Sequence, residues 1–187
     1  VPREVQWFIN HHKDEGKRSA QLTDDGDQTR RQLIQLYRLY QENCEKGGLV
    51  DFAELLLRAF ELWKNNPDLL AQYRRRFRHI LVDEFQDTNA IQYAWLRLLA
   101  GDTGVPFVVG DDDQSIYGWR GAEVANLLDL EKHYPEVKVI KLEQNYRSTA
   151  TILSAANAVI KHNARRRGKH LWSQKGQGNK ITLHAFA

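Results

Sequence analysis

The spacing of apolar side chains along the chain changes near residue 79. Before this point, apolar residues recur every three or four positions, which is typical of helices that bury one face. After it, short apolar runs alternate with helical patterns of about 10 to 14 residues. The chain is therefore predicted to have a helical first part and an α/β second part.

Local end signals indicate where helices begin and end in the first part. Residues 33–44 carry an apolar stripe that Gly47-Gly48 should end. Asp51, followed by Glu54 three positions later, resembles a capping box and should open the next helix. Asn66-Pro67 then suits an N-cap followed by a first helical position.

The second part contains alternating strand and helix patterns. Such alternation implies right-handed βαβ units and a parallel sheet that is covered on both faces. The start of one more strand is predicted at 181–186. In chain order, the other predicted elements are a strand at 80–82, a helix at 90–100, a strand at 107–109, a helix at 123–133, a strand at 137–142 and a helix at 149–162.

Composition narrows the class of protein. The 187 residues are 42% hydrophobic and 27% charged, which is ordinary for a folded chain with a sizeable core. No apolar run approaches the roughly 18 to 20 residues that a membrane span needs. Cys44 is the only cysteine, so no internal disulfide is possible. We therefore expect a cytoplasmic protein with no membrane partner.

Positive charge is concentrated in two segments, 74–78 and 165–169, of a chain whose formal net charge is +3. Clusters of arginine and lysine permit a polyanion partner. Solvent exposure of a helix face or of a connector explains them equally well. Charge alone therefore does not decide between nucleic-acid binding and an ordinary basic surface.

Two adjacent carboxylates, Asp83 and Glu84, directly follow the first predicted strand. Isolated Asp-Glu pairs are usually solvated surface charges, but the apolar strand before this pair argues against that interpretation. Open α/β sheets bind ligands at the carboxyl ends of their strands. A hard cation such as Mg²⁺ prefers oxygen ligands, and a neighbouring carboxylate is able to orient or deprotonate water. This favours Asp83 as a metal ligand and Glu84 as the group that acts on water.

The second predicted strand also ends in polar side chains, at residues 111–114. Both strand ends could face one crevice. Gln114 is neutral, so it could hydrogen-bond a phosphate or a water without repelling the phosphate. An N-capping acidic turn explains Asp112 and Asp113 better than a ligand site does.

Aromatic residues beside arginines follow each of the last two clusters of polar residues. Tyr117 and Trp119 suit stacking on unpaired bases, which is worth about 1 to 3 kcal/mol per base, although core packing is the alternative. The planar guanidinium of Arg120 suits phosphate oxygens. Tyr146 and Arg147 offer the same two functions just before a helix N-terminus, a position that favours anions, although each residue taken singly also has a satisfactory structural explanation.

Three segments carry a resemblance to a known family. Residues 82–87, 110–122 and 142–149 resemble motifs II, III and IV of the UvrD/Rep/PcrA group of superfamily 1 DNA helicases, in that order and at the usual separations. Residues 48–56 also resemble the stretch before motif II. The resemblance implies roles for eight side chains. These are Mg²⁺ ligand for Asp83, water activation for Glu84, γ-phosphate sensing for Gln114, γ-phosphate contact for Arg120 and Arg147, adenine stacking for Tyr146, and stacking on bases of single-stranded DNA for Tyr117 and Trp119.

A phosphate-binding loop of the form Gly-x-x-x-x-Gly-Lys-Ser/Thr does not occur in the sequence, and residues 16–19 do not replace it. We therefore expect an internal fragment with an α/β fold. It would be a partial RecA-like P-loop NTPase domain with a parallel sheet, preceded by a mostly helical insertion subdomain. The expected boundaries are part of the insertion subdomain at 1–50, the C-terminal half of the first motor domain at 51–142 and the start of the second motor domain at 143–187.

The resemblance implies an ATP-dependent 3′ to 5′ DNA helicase of DNA repair and replication. Such a protein uses ATP and Mg²⁺, translocates on single-stranded DNA and unwinds duplex DNA, with mismatch- or excision-repair proteins as implied partners. For these 187 residues by themselves, a non-catalytic single-stranded DNA binding or protein-interaction module is the alternative, because hydrolysis is not expected without the phosphate loop. A Mg²⁺ nuclease that uses Asp83, Glu84 and Asp111 is a third and less favoured alternative.

Overall fold

The computed structural model describes residues 2–102, 104–164 and 166–185. Arg165 of the second basic segment and Phe186 of the last predicted strand therefore lie outside the described residues. The chain divides into two units, one ending at Leu130 and one beginning at Glu131, and each is described by itself. The domain boundaries expected at 50/51 and 142/143 stay a prediction.

Helices make up most of the first unit. Among the described residues of this unit, the helices are α1 (Pro2–Asp14), α2 (Gln28–Gly47), α3 (Phe52–Asn65), α4 (Pro67–Arg76), α5 (Ala90–Ala100) and α6 (Ala125–Leu128). Helix α7 (Leu130–His133) begins at the last residue of this unit, and α8 (Ala150–Ile160) belongs to the second unit. The helical first part is thus confirmed.

Apolar clusters hold the helices of the first unit together. Phe8 and Ile9 of α1 pack against Tyr37 of α2, which is fully buried. The Tyr37 hydroxyl donates a hydrogen bond of 3.0 Å to the Lys17 carbonyl oxygen, so its only polar group is satisfied. The second cluster joins α3, α4 and α5 through Trp63, Leu70 and Leu99.

The predicted helix ends are confirmed, but two of the predicted cap contacts differ. Gly48 caps α2 with a φ of +64°, which favours glycine because a side chain would be strained there. The Asp51 carboxylate accepts a hydrogen bond of 2.7 Å from the Glu54 N–H at the start of α3, which is one half of the predicted capping box. The Glu54 carboxylate pairs with cations instead of completing the box. Asn66 precedes α4 as predicted, but its side chain donates to the Leu62 carbonyl oxygen, so it does not cap the helix that follows.

Two short strands form a parallel pair, as predicted. Strand β1 (Leu81–Val82) lies beside β2 (Phe107–Val108), with Leu81 opposite Phe107 and Val82 opposite Val108, and α5 lies between them in the chain. The predicted cover on both faces is wrong within the described residues. Leu81 is 73% exposed and Phe107 66% exposed, because no described element packs over that face of the two-stranded sheet.

The structure corrects the predicted elements after residue 122. The helix predicted at 123–133 is two short helices, α6 and α7, interrupted at Asp129. Residues 137–142 and 181–185 form no strand, because a strand requires a hydrogen-bonded partner and none of the described residues supplies one there. Close to the first of these segments, an isolated β-bridge pairs Gln144 with Trp172.

Helix α8 confirms the prediction at 149–162, with Thr149 at the N-cap position. The Thr149 side chain makes no capping hydrogen bond. Across the described ranges, none of the helices combines the length and the apolar character that a bilayer crossing requires.

Candidate functional site

The first two predicted clusters lie side by side at the carboxyl ends of the parallel strands. Asp83 and Glu84 follow β1, and Gly110 and Asp111 follow β2. The Phe85 N–H donates a hydrogen bond of 3.1 Å to the Val109 carbonyl oxygen, which extends the strand pairing into the polar segments. The fold therefore joins two groups of side chains that are separated by more than 20 positions in the sequence.

Glu84 occupies an unusual backbone conformation. Its φ and ψ are +49° and +41°, in the left-handed region that a non-glycine residue adopts at a cost of about 1 to 2 kcal/mol. This conformation turns the chain from β1 into the short 3-10 turn Phe85–Asp87. The Glu84 N–H donates to the Asp83 carboxylate at 2.9 Å. Strained backbone of this kind is found preferentially at functional sites, so it marks Glu84 independently of its side chain.

Both carboxylates at the end of β1 are exposed. Within the part of the chain that the structure describes, no lysine or arginine side chain forms an ion pair with Asp83 or Glu84. Exposed and uncompensated carboxylates are available to a cation.

Gln86 connects the two strand ends and was missed by sequence reasoning. Its side chain is 1% exposed, and its amide donates a hydrogen bond of 2.7 Å to the Glu84 carboxylate. The amide oxygen accepts a hydrogen bond of 2.9 Å from the Asp111 N–H. The only signal in the sequence was a neutral amide beside the carboxylate pair, and nothing in the local pattern predicted its burial.

The hydrogen-bonded chain continues from Asp111 to Gln114. One oxygen of the Asp111 carboxylate accepts from the Asp113 N–H at 3.0 Å, and the other accepts from the Gln114 side-chain amide at 2.6 Å. The capping role that was expected of the acidic turn therefore belongs to Asp111, which precedes the 3-10 turn Asp112–Gln114. Asp111, whose N–H is bound by Gln86, therefore holds the Gln114 side chain in place.

Gly110 permits the close approach of the two segments. A Cβ atom at this position would lie 3.1 Å from the Gln86 amide oxygen and 3.3 Å from the Phe85 Cβ. Both distances are tighter than normal side-chain contacts, so any larger residue would push Gln86 away. Glycine at this position therefore keeps the link between Glu84 and Asp111 intact.

The aromatic pair of the second cluster lies on the surface. Tyr117 is 37% exposed and Trp119 is 68% exposed, so core packing does not account for Trp119. The Arg120 guanidinium lies 5.1 Å from the Tyr117 ring centre and 4.7 Å from the Trp119 ring centre. Cation–π contacts of this kind hold the two rings and the arginine as one surface group.

The third cluster belongs to the second unit. Tyr146 is 74% exposed, and Arg147 is also exposed. The Asn145 side-chain oxygen accepts hydrogen bonds from the N–H groups of Arg147 at 2.9 Å and Ser148 at 2.7 Å. Asn145 thus shapes the turn that presents Tyr146 and Arg147, a role that sequence reasoning also missed.

Arginines of both basic segments have structural partners. The Arg74 guanidinium donates two hydrogen bonds, of 2.9 and 2.7 Å, to the Leu98 carbonyl oxygen in α5. Arg167 forms an ion pair of 3.2 Å with Glu131. These contacts favour a structural explanation for part of the basic charge.

Comparisons with known proteins cover nearly the whole chain. Residues 2–135 match the model of the UvrD/REP helicase N-terminal domain, and residues 140–187 match that of the UvrD-like helicase C-terminal domain. DNA helicase II of Escherichia coli K12 is 57% identical over 183 residues, which are 98% of this chain and 25% of that protein. DNA helicase II of Haemophilus influenzae is 50% identical over 184 residues, and the ATP-dependent DNA helicase PcrA of Leuconostoc citreum is 42% identical over 184 residues, each match covering 98% of this chain and 25% of the relative. The chain thus spans about a quarter of the length of these relatives.

Proposed function

Because the chain belongs to the UvrD/Rep helicase family, we propose that it carries part of the ATP and DNA sites of an ATP-dependent DNA helicase. The observation that carries this proposal is the series of hydrogen bonds from Glu84 through Gln86 and Asp111 to Gln114. This series links a candidate water-activating group to a candidate phosphate sensor.

Asp83 suits the role of Mg²⁺ ligand. Its carboxylate is exposed at the end of β1, and one of its oxygens accepts the Glu84 N–H while the other has no partner among the described residues. Mg²⁺ is held in nucleotide sites by one or two carboxylates together with phosphate oxygens and water. The ion would supply positive charge to the phosphate oxygens, and Asp83 would hold it at this edge of the sheet.

Glu84 suits the role of the base that acts on the attacking water. The Gln86 amide fixes one oxygen of its carboxylate, which leaves the other oxygen to accept a proton or to orient water. A general base that is already held in one orientation loses less entropy when the substrate binds. Removal of such a base typically costs about 10²- to 10⁴-fold in rate.

Gln114 would transmit the state of the phosphate to the DNA-binding residues. Its amide is bound to Asp111, and Tyr117 and Trp119 follow three and five positions later in the same segment. A shift of Gln114 towards a γ-phosphate would break its bond to Asp111 and move this segment. Exposed Trp119 would stack on a base of single-stranded DNA together with Tyr117.

The remaining roles follow the family resemblance. Arg120 and Arg147 would contact the γ-phosphate, and Tyr146 would stack on adenine. For Arg120 this requires that the guanidinium leave the aromatic rings it contacts in the structure. The longer protein would translocate 3′ to 5′ on single-stranded DNA, unwind duplex DNA and act in repair, with mismatch- or excision-repair proteins as partners.

Substitution of Glu84 by Gln tests the proposal in a protein that carries this chain together with the additional sequence of its longer relatives. We expect DNA-stimulated ATP hydrolysis to fall by at least about 10²-fold, with nucleotide and DNA binding retained. Glu136→Gln, at an exposed glutamate outside the three clusters, is the matched control. Hydrolysis near the wild-type rate in the Glu84 variant would contradict the proposal.

A second function is favoured for the 187 residues by themselves. The exposure of Trp119 and its contact with Arg120 suit binding to single-stranded DNA without hydrolysis. Titration with a labelled oligonucleotide should show binding that weakens as salt rises. Trp119→Ala should weaken it further, whereas Trp172→Ala, at an exposed tryptophan of the second unit, should not. Absence of binding at low salt would exclude this function.

A further inference from the structure

A cluster of metal-binding side chains lies at the C-terminal end of α1, apart from the strand ends. Nδ1 of His12 is 2.9 Å from one oxygen of the Glu15 carboxylate, and Nε2 of His11 is 3.6 Å from the other oxygen. One ligand atom of each residue lies within 4.8 Å of those of the other two. The three clusters of the helicase resemblance do not include any of these residues.

We propose that His11, His12 and Glu15 form a binding site for a divalent transition-metal ion of the Zn²⁺ class. Two imidazole nitrogens and one carboxylate are a ligand set that Zn²⁺ uses when its fourth position is open. Mg²⁺ and Ca²⁺ prefer oxygen ligands to imidazole, so this site differs from the one at Asp83 in the metal that it prefers. This inference is independent of the proposed function.

The observed spacings suit this ion. Ligand atoms about 2.0 to 2.1 Å from a tetrahedral metal lie roughly 3.3 Å from one another. The two nitrogen–oxygen distances, 2.9 and 3.6 Å, lie on either side of this value. These distances run to different oxygens of the Glu15 carboxylate, and the three ligand atoms lie within 4.8 Å of one another, so rotation of the side chains could bring them to the separations that a metal requires.

Local electrostatics also favour a cation at this position. The Glu15 carboxylate lies just after α1, and the C-terminal end of the helix dipole adds negative potential there.

A small cavity adjoins the cluster and has room for a ligand at the fourth coordination position of the metal. Its volume is about 180 Å³, and His11, Asp14 and Glu15 line one side of it. The other lining residues are Ala90, Gly118, Gly121, Ala122 and Glu123. Water would complete the coordination on this side.

Two existing contacts would compete with the ion. The Lys17 ammonium lies 3.1 Å from the Glu15 carboxylate, but this side chain is half exposed and is able to move into solvent. The hydrogen bond between His12 and Glu15 would be replaced by bonds of both groups to the metal. The His11 ring stacks on Trp7 with a centre-to-centre distance of 4.8 Å, which holds its orientation and provides an optical probe.

Calorimetric titration of the 187-residue chain with Zn²⁺ tests the proposal. We expect saturable binding of one ion per chain, weakened at least roughly 10- to 100-fold by His11→Gln and by Glu15→Gln. Both side chains are only partly buried, so these variants should fold, and circular dichroism spectra check that they do. His162→Gln, at an exposed histidine of the second unit, should bind like the wild type.

A second measurement locates the ion. Cu²⁺, which quenches nearby tryptophan fluorescence, should lower the emission of the wild-type chain and lose most of this effect in Trp7→Phe. Equal Zn²⁺ affinity in the wild type and in His11→Gln would overturn the proposal, and so would the absence of saturable binding. Quenching that is unchanged in Trp7→Phe would place the ion elsewhere and would overturn it as well.

Discussion

Carboxylates are buried and paired in one region of the first unit and exposed in another. In the helical region, Glu54 is 3% exposed and is surrounded by cations. At the end of β1, Asp83 and Glu84 are exposed, and no cationic side chain of the described residues pairs with them. The same residue types thus serve stability in one region and stay available to ligands in the other.

The buried network joins α1, the segment after it and α3. The Lys13 ammonium is 2% exposed and lies 2.8 Å from the Asp51 carboxylate and 2.9 Å from the Glu54 carboxylate. The Glu54 carboxylate also binds Arg18 at 2.9 Å and Arg58 at 2.7 Å. Burial would raise the pKa of Glu54, but the hydrogen bonds from these three cations outweigh it and lower the pKa to about 2.

The difference follows from the cost of desolvation. A charge that is removed from water must be matched by close partners, so a buried carboxylate is useful only when it is fully paired. A carboxylate at a strand end keeps its water until a ligand replaces it. Exposure at Asp83 and Glu84 is therefore a requirement of the proposed function, and burial at Glu54 is a requirement of the fold.

Among the variants that test this comparison, Lys13→Met should cause the largest loss of stability. It would remove the ammonium that the buried Glu54 carboxylate shares with the partly buried Asp51 carboxylate, and the loss of one partner of a buried ion pair typically costs about 3 to 5 kcal/mol of unfolding free energy. Urea unfolding followed by circular dichroism measures the loss. Lys17→Met, at a half-exposed lysine, is the control and should change stability by less than about 1 kcal/mol. Similar effects of the two variants would remove the distinction between buried and exposed charge.

Acidification should weaken the helical region through Glu54. A carboxyl whose folded pKa is depressed stabilises the protein above its unfolded pKa, and this stability is lost as pH falls through the folded value. For Glu54 the loss should occur between about pH 4.5 and pH 2 and amount to at most about 3 kcal/mol. The pH dependence of urea unfolding should be shallower in Glu54→Gln, and an unchanged slope would contradict the prediction.

Gln86→Leu tests the link beneath the exposed carboxylates. Loss of the amide would leave the partly buried Asp111 N–H without this acceptor and release the Glu84 carboxylate. An unsatisfied buried donor costs about 1 to 3 kcal/mol, which the same unfolding measurement would detect. Gln6→Leu, at an exposed glutamine of α1, should be close to neutral. Unchanged stability in Gln86→Leu would mean that the link contributes nothing to the fold.

Asp83→Asn should have the smallest effect on stability. The side chain is exposed, and its oxygen still accepts the Glu84 N–H as an amide, so the expected change lies within about 0.5 kcal/mol. The same substitution should abolish any Mg²⁺-dependent hydrolysis in the longer protein. A large loss of stability would show that Asp83 is a structural residue and would weaken the comparison.

The sequence by itself determined the features that depend on neighbouring residues. Helix α5 occupies 90–100 as predicted, Gly48 ends α2, and Asp51 caps α3, because periodicity, backbone freedom and capping act over a few positions. The parallel pairing of β1 and β2 also followed from local patterns. The helicase family could be predicted because long runs of adjacent residues carry its motifs.

Only the tertiary structure decided how distant residues meet. Gln86 reaches Asp111 across 25 positions. Arg120 lies over the two aromatic rings, a contact that its predicted role at the γ-phosphate did not indicate. The strands expected at 137–142 and 181–186 depend on partners that a local pattern does not specify, and the described residues form neither. Many hydrogen-bond partners and much of the burial of a side chain come from other elements, so both are decided only when the chain has folded.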